Sequence, residues 1–141
     1  MGLKVPRRFR MIDEMERGVK GVEGGAITYG PIDLEDRQMK LWRASILGPA
    51  DTVYEGNLYE LLIVCDETYP EKPPTVRFVS YISLSCIDGE GYVRKDKILV
   101  LKKWKETRTL GDVLAAVRGE MVVGKNRQRE QVPGGKPFIT E

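Results

Sequence analysis

The sequence predicts one α+β domain: a helix, a four-stranded antiparallel meander, then a single long helix. Three observations carry this. Residues 40–47 alternate, with Trp42, Ala44 and Ile46 facing one way and Leu41, Arg43, Ser45 and Leu47 the other, the pattern of a half-buried strand. Residues 58–65 are apolar on both faces over Leu61, Leu62, Ile63 and Val64, as in a central strand. Leu110, Val113, Leu114, Val117 and Met121 recur at i, i+3, i+4, i+7 and i+11, an apolar stripe that should lie across a sheet. A chain of 141 residues can bury one core of its own. No internal repeat or second domain is visible, so 1–141 reads as one unit with a core over about 5–124 and a tail over 125–141.

Each element has a local reason. Residues 5–17 read as the first helix, with Pro6 suited to its opening position and Gly18 to its stop. Phe9, Ile12, Met15 and Glu16 share a face at helical spacing, while Arg8, Arg10, Asp13, Glu14 and Arg17 should stay wet. Periodicity alone makes Phe9 a staple between the helix and its own domain. Gly18, Gly21, Gly24 and Gly25 mark a loose connection, and no Gly-Lys-Ser/Thr follows to make a phosphate loop. Residues 26–30 form a short first strand rich in β-formers. Gly48-Pro49 ends the second strand. The hexapeptide Tyr69-Pro70-Glu71-Lys72-Pro73-Pro74 is stiff and cannot donate freely to a ladder, so it should wrap a sheet edge before the fourth strand at 75–79. Residues 80–97 carry little periodicity, with a turn cluster at Asp88-Gly89-Glu90-Gly91. A short apolar run at 98–101 leads to Trp104. Thr109 caps the long helix with Asp112 in the capping-box position, and Gly124 should stop it. The run Lys125-Asn126-Arg127-Gln128-Arg129 reads as a solvated tail.

Composition narrows the chemistry. Lys plus Arg is 23 and Asp plus Glu is 21, a net charge of +2 without a concentrated basic face, so nothing calls for nucleic acid. There is no histidine, which removes the commonest general base and metal ligand. Cys65 and Cys86 lie far apart, so no metal site and no cofactor are expected, and two free thiols fit a reducing compartment. No apolar run is long enough to span a bilayer and no signal-peptide core opens the chain, so no membrane association is expected.

Several local signals then stand in one order: Gly48-Pro49, Tyr54-Glu55-Gly56, Leu58-Tyr59, Tyr69-Pro70-x-x-Pro73-Pro74-x-Val76-x-Phe78, Lys103-Trp104 and Leu110-x-x-Val113-Leu114. Together, over roughly residues 5–121, they resemble the ubiquitin-conjugating (UBC) fold. Active members carry His-Pro-Asn before a nucleophilic Cys. With Phe78, Ile87, Asp88 and Gly91 as anchors, Leu84-Ser85-Cys86 fall where His-Pro-Asn would stand and Arg94 where the nucleophile would stand. A thioester carrier needs a thiolate there, and transfer uses an amide donor for the developing oxyanion. A guanidinium stays protonated and cannot be that nucleophile.

This pattern is similar to the catalytically inactive ubiquitin-conjugating enzyme variants (UEVs). The opening Lys4-Val5-Pro6-Arg7-Arg8-Phe9-Arg10 resembles the subgroup that pairs with an active conjugating enzyme to build lysine-sixty-three-linked chains, and the chain lacks the last two helices of active members. Tyr54-Glu55-Gly56 is closer to active enzymes. The resemblance implies no catalytic residue of its own and two binding faces. Val5, Pro6, Arg7 and Phe9 should meet the partner enzyme, which turns Phe9 from staple to anchor, and Thr28, Ser45 and Leu58 should hold acceptor ubiquitin non-covalently. It also implies nuclear and cytoplasmic residence and work in DNA-damage tolerance or signalling. Two alternatives stay open: an active enzyme using Cys86, eight residues early and needing a cation such as Arg94 to lower its pKa, and a sorting module that binds peptides and ubiquitin. Cys65, within a strand, reads as inert filler.

Overall fold

The structure, a computed structural model, describes residues 6–140. Helix α1 (Arg7–Lys20) leads into strands β1 (Ile27–Pro31), β2 (Leu41–Leu47), β3 (Leu58–Val64) and β4 (Thr75–Phe78). The one-turn helix α2 (Leu99–Lys102), helix α3 (Leu110–Glu120) and the one-turn helix α4 (Gly124–Arg127) follow. The strands pair antiparallel in the order β1-β2-β3-β4, the meander expected when short connections join neighbours.

Register decides what the sheet can do. Trp42 faces Ile63, Ala44 faces Tyr29 and Leu61, and Ile46 faces Ile27 and Tyr59. Side chains alternate, so these residues share one face, and they join Val113, Leu114, Val117 and Met121 of the α3 stripe in a single buried core. Each fully buried large apolar side chain of this kind contributes about 1.5–3 kcal/mol. Thr28, Arg43, Ser45, Leu47, Leu58 and Glu60 point the other way and remain exposed or half-buried. Leu62 and Val64 are half-buried, so β3 is packed on one face and partly wet on the other, although its sequence is apolar throughout.

Helix α1 departs from the sequence reading. Its buried stripe is Met11, Glu14 and Gly18, and the helix runs on to Lys20. Gly18 is a contact glycine rather than a stop, because a Cβ there would overlap the Tyr29 carbonyl and push α1 off β1. Ile12 and Met15 pack at the margin of the core, and Glu16 is exposed. Glu14 is fully buried because it has partners far away in sequence: its carboxylate accepts the Leu110 N–H at 3.0 Å and the Tyr69 hydroxyl, with Arg10 at 3.5 Å. Burial raises its pKa, and these bonds oppose the rise. One carboxylate thus joins α1, the start of α3 and the Tyr69-Pro70 segment. The Trp104 indole donates to the Pro70 carbonyl at 2.8 Å and fixes the same segment from below.

The capping box at Thr109 and Asp112 is present in both directions. The predicted stop at Gly124 is not. Helix α3 ends at Glu120, whose carbonyl accepts the Asn126 side-chain amide at 3.0 Å, and Gly124 instead begins α4. The Val123 N–H reaches the same carbonyl at 3.3 Å, so a backbone turn and a downstream side chain together close the helix end. The tail is likewise not uniformly solvated: Asn126 is buried, and Phe138 stacks on Tyr81 with ring centroids 6.1 Å apart.

Candidate functional site

The residues that the resemblance assigned fall into three places. On the first turn of α1, Pro6 is exposed and Phe9 is 63% exposed, an aromatic ring in water with no core role. That overturns the staple reading from periodicity. Arg7 points elsewhere: its guanidinium donates to the carbonyls of Gln38, Cys65, Asp66 and Tyr69. Val5 lies outside the described residues.

The second place is the open face of the sheet. Thr28 stands opposite Ser45, Ser45 opposite Glu60, and Leu58 opposite Leu47. Thr28, Ser45 and Leu58, distant in sequence, therefore form one patch of directly and diagonally paired positions. Leu58 is 66% exposed and Leu47 41%, a pair of leucines in water where β2 ends and β3 begins. Leu47 is not among the residues the resemblance assigns, although its place on the Ser45 side of the alternation is the signal that points to it. Arg43 and Glu60 form an ion pair at 2.9 Å beside the patch. A cleft of about 490 Å³ opens next to Leu58, with Tyr81, Gln131 and Val132 on its far wall.

The third place is the irregular segment after β4. Ile87 and Val93 form an antiparallel bridge around the 88–91 turn, and the Arg94 N–H donates to the Cys86 carbonyl at 2.8 Å. The Asp88 carboxylate holds the turn through the Glu90 and Tyr92 N–H groups, and Gly91, at φ +92°, presses on the Phe138 ring where a Cβ would stand 2.7 Å away. Positions 86 and 94, assigned by resemblance to the amide donor and the nucleophile, are thus backbone neighbours.

The side chains at these positions present neither an amide donor nor a thiolate. Arg94 is exposed and pairs with Asp96 at 3.1 Å. Cys86 is buried, and burial, reinforced by nearby Glu120, pushes its thiol up to about 12. A thiol there is almost wholly protonated at neutral pH, the reverse of the depression a nucleophile needs. Arg94 does not supply that depression, being engaged with Asp96. Cys65 is also buried, and its thiol is also raised by burial. Leu84 is buried and offers only hydrocarbon. The Ser85 hydroxyl accepts from Asn126 at 2.8 Å, and Asn126 accepts the Ser85 N–H in return. One step earlier, Gln131 brackets the Ser83 backbone and Arg129 donates to its hydroxyl at 2.7 Å. The tail therefore stitches down the segment that precedes the would-be catalytic turn. Among the described residues no group of three His, Cys, Asp or Glu converges to hold a metal, and no helix is long and apolar enough to cross a membrane.

A helix, a four-stranded meander and a bridged turn beyond β4, closed by a helix across the core, define a ubiquitin-conjugating-type domain. The ubiquitin-conjugating enzyme family matches residues 14–129, and the chain belongs to that family. It is 44% identical over 135 residues to ubiquitin-conjugating enzyme E2 variant 1C of Arabidopsis thaliana, covering 95% of this chain and 93% of that protein. It is 38% identical over 136 residues to ubiquitin-conjugating enzyme variant MMS2 of Saccharomyces cerevisiae, covering 96% and 98%. Among solved structures, human ubiquitin-conjugating enzyme E2 G1 superposes with a TM-score of 0.71 at 25% identity, over 85% of this chain and 98% of that one. Within the family the chain falls with the conjugating-enzyme variants.

Proposed function

We infer that this chain is the non-catalytic half of a two-chain conjugating assembly. It binds an active ubiquitin-conjugating enzyme through the first turn of α1, with Phe9 as the anchor. It holds acceptor ubiquitin on the open sheet face at Thr28, Ser45 and Leu58, and so aims lysine sixty-three of that ubiquitin at the partner's thioester. Orientation alone can replace a barrier of up to about 7–11 kcal/mol in ideal cases. Linkage specificity then follows from which lysine the geometry presents.

The observation that carries this reading is the pairing of positions 86 and 94. The two positions that the resemblance assigns to the amide donor and the nucleophile are joined by one backbone hydrogen bond, and they carry a buried, protonated thiol and an ion-paired guanidinium. Neither side chain presents a thiolate at neutral pH. The acceptor contact is weak by design, since a chain-building site must release and reload, and transient interfaces commonly bury less than about 1,200 Å². Nuclear and cytoplasmic residence and a role in DNA-damage tolerance or signalling belong to the same reading. The test is reconstitution with activating enzyme, ATP, ubiquitin and the matching conjugating enzyme. Free chains linked through lysine sixty-three should form only when both conjugating chains are present. Equal synthesis by the partner alone would refute the cofactor role.

A further inference from the structure

Arg7 makes an unusual set of bonds. Its Nη1 donates to the Asp66 carbonyl at 2.6 Å and to the Tyr69 carbonyl, and its Nη2 donates to Gln38 at 2.9 Å and Cys65 at 2.7 Å. The acceptors sit on two separate connections, one between β1 and β2 and one between β3 and β4, while the arginine itself opens α1. A planar fork can serve carbonyls on several sides at once, which a point charge on a flexible stem cannot. All four acceptors are backbone groups, so the bonds fix shape. The Nε is buried without a partner, so the head is held entirely through its two terminal nitrogens. Arg10, one turn on, does similar work towards α3, donating to the carbonyls of Glu106 at 2.6 Å and Arg108.

The exposed ring of Phe9 stands two residues after Arg7 on the same turn. Among the described residues, the other side chain of that turn that bonds to distant backbone is Arg10, on its far side. A docking edge that is already ordered loses less freedom on association than one that must be ordered by the partner.

We propose that Arg7 is a positioning residue for partner docking, clamping the first turn of α1 to the 38–40 and 65–69 loops so that Phe9 is presented from a fixed edge. This rests on the docking reading above and changes the part Arg7 plays in it, from a contact to the support of one.

Arg7→Lys tests it, because it keeps the stem and the charge but offers its donors from a single point. Titrated calorimetrically against the active partner, Arg7→Lys should bind about tenfold more weakly than the wild type. Amide hydrogen exchange in the free variant should quicken in the 38–40 and 65–69 loops, with β2 and β3 unchanged, and should return towards wild type in the complex. Arg7→Met should behave likewise, and if it folds poorly the lysine variant alone, assayed below its melting temperature, decides. Wild-type affinity despite a lower melting temperature would make Arg7 a purely structural residue. Weaker binding with unchanged exchange would make it a direct contact. Either result overturns the clamp. Phe9→Ala separates the two levels: if it loses affinity while Arg7→Lys does not, only the positioning role falls. If neither loses affinity, the docking reading falls and takes the positioning role with it.

Discussion

The open sheet face and the 84–94 segment are built from similar parts and have opposite properties. On the sheet face, Leu47, Leu58, Thr28 and Ser45 are held by ladder pairing and left in water. In the 84–94 segment the backbone is held just as firmly, by the Ile87–Val93 bridge and by Asn126 and Gln131, but Leu84 and Cys86 are turned inward and Arg94 is paired with Asp96. A binding site survives on exposure and rigidity alone. A site for covalent chemistry also needs an ionisable group in a tuned environment, and burial with like charge nearby tunes Cys86 the wrong way.

The largest expected effect is on the sheet face. Ser45→Glu places a carboxylate directly opposite Glu60 in the ladder. Free-chain synthesis should fall at least about a hundredfold, the consequence of burying an unpaired charge under the acceptor, while heterodimer affinity stays unchanged. Retained synthesis in a gel-based chain assay would remove the acceptor site from this face. Next, Phe9→Ala should cost at least about 2 kcal/mol of heterodimer affinity, roughly thirtyfold in Kd, without lowering the melting temperature, since the ring buries nothing in the core.

Glu14→Gln tests the internal bolt. It should destabilise the fold by about 1–3 kcal/mol, because the amide gives up the charge that faces Arg10 and buries an NH2 group where the Leu110 N–H and the Tyr69 hydroxyl already donate. The pH dependence has a definite sign. The folded-state pKa of Glu14 is raised above 4.5, so the native state binds the proton more tightly than the unfolded chain. Its contribution is fully present below the unfolded value and shrinks as pH rises through the folded one. The wild type's advantage over Glu14→Gln in urea melts should therefore be greatest on the acid side and decline as pH rises above 4.5. An advantage that grew with pH would contradict the burial argument. The smallest effect belongs to Cys86→Ala: about 1 kcal/mol of stability or less, with chain synthesis alongside the partner unchanged.

The same division marks how far the fold and sites could be read from the sequence. Strand β2 was legible because alternation is local, and the Thr109–Asp112 box because both halves lie within one turn. Thr28, Ser45 and Leu58 came from resemblance, and pairing brings them together in the patch. The buried face of α1 was misread because Glu14 counts as polar until its partners, 55 and 96 residues away, are known. Gly18 looked like a stop because nothing nearby in sequence announces the Tyr29 carbonyl. The loop bonds of Arg7 and the buried place of Asn126 were hidden for the same reason: these bonds run to backbone groups of remote loops and helix ends, which no periodicity records.

The most direct measurement is a charging assay with activating enzyme, ATP and labelled ubiquitin, resolved without reductant, on this chain alone, on the active partner alone and on the pair. The expected result is a reductant-sensitive ubiquitin adduct on the partner in both of its lanes and none on this chain in any, with diubiquitin appearing only in the paired reaction. A thioester on this chain by itself, lost in Cys86→Ala, would contradict it.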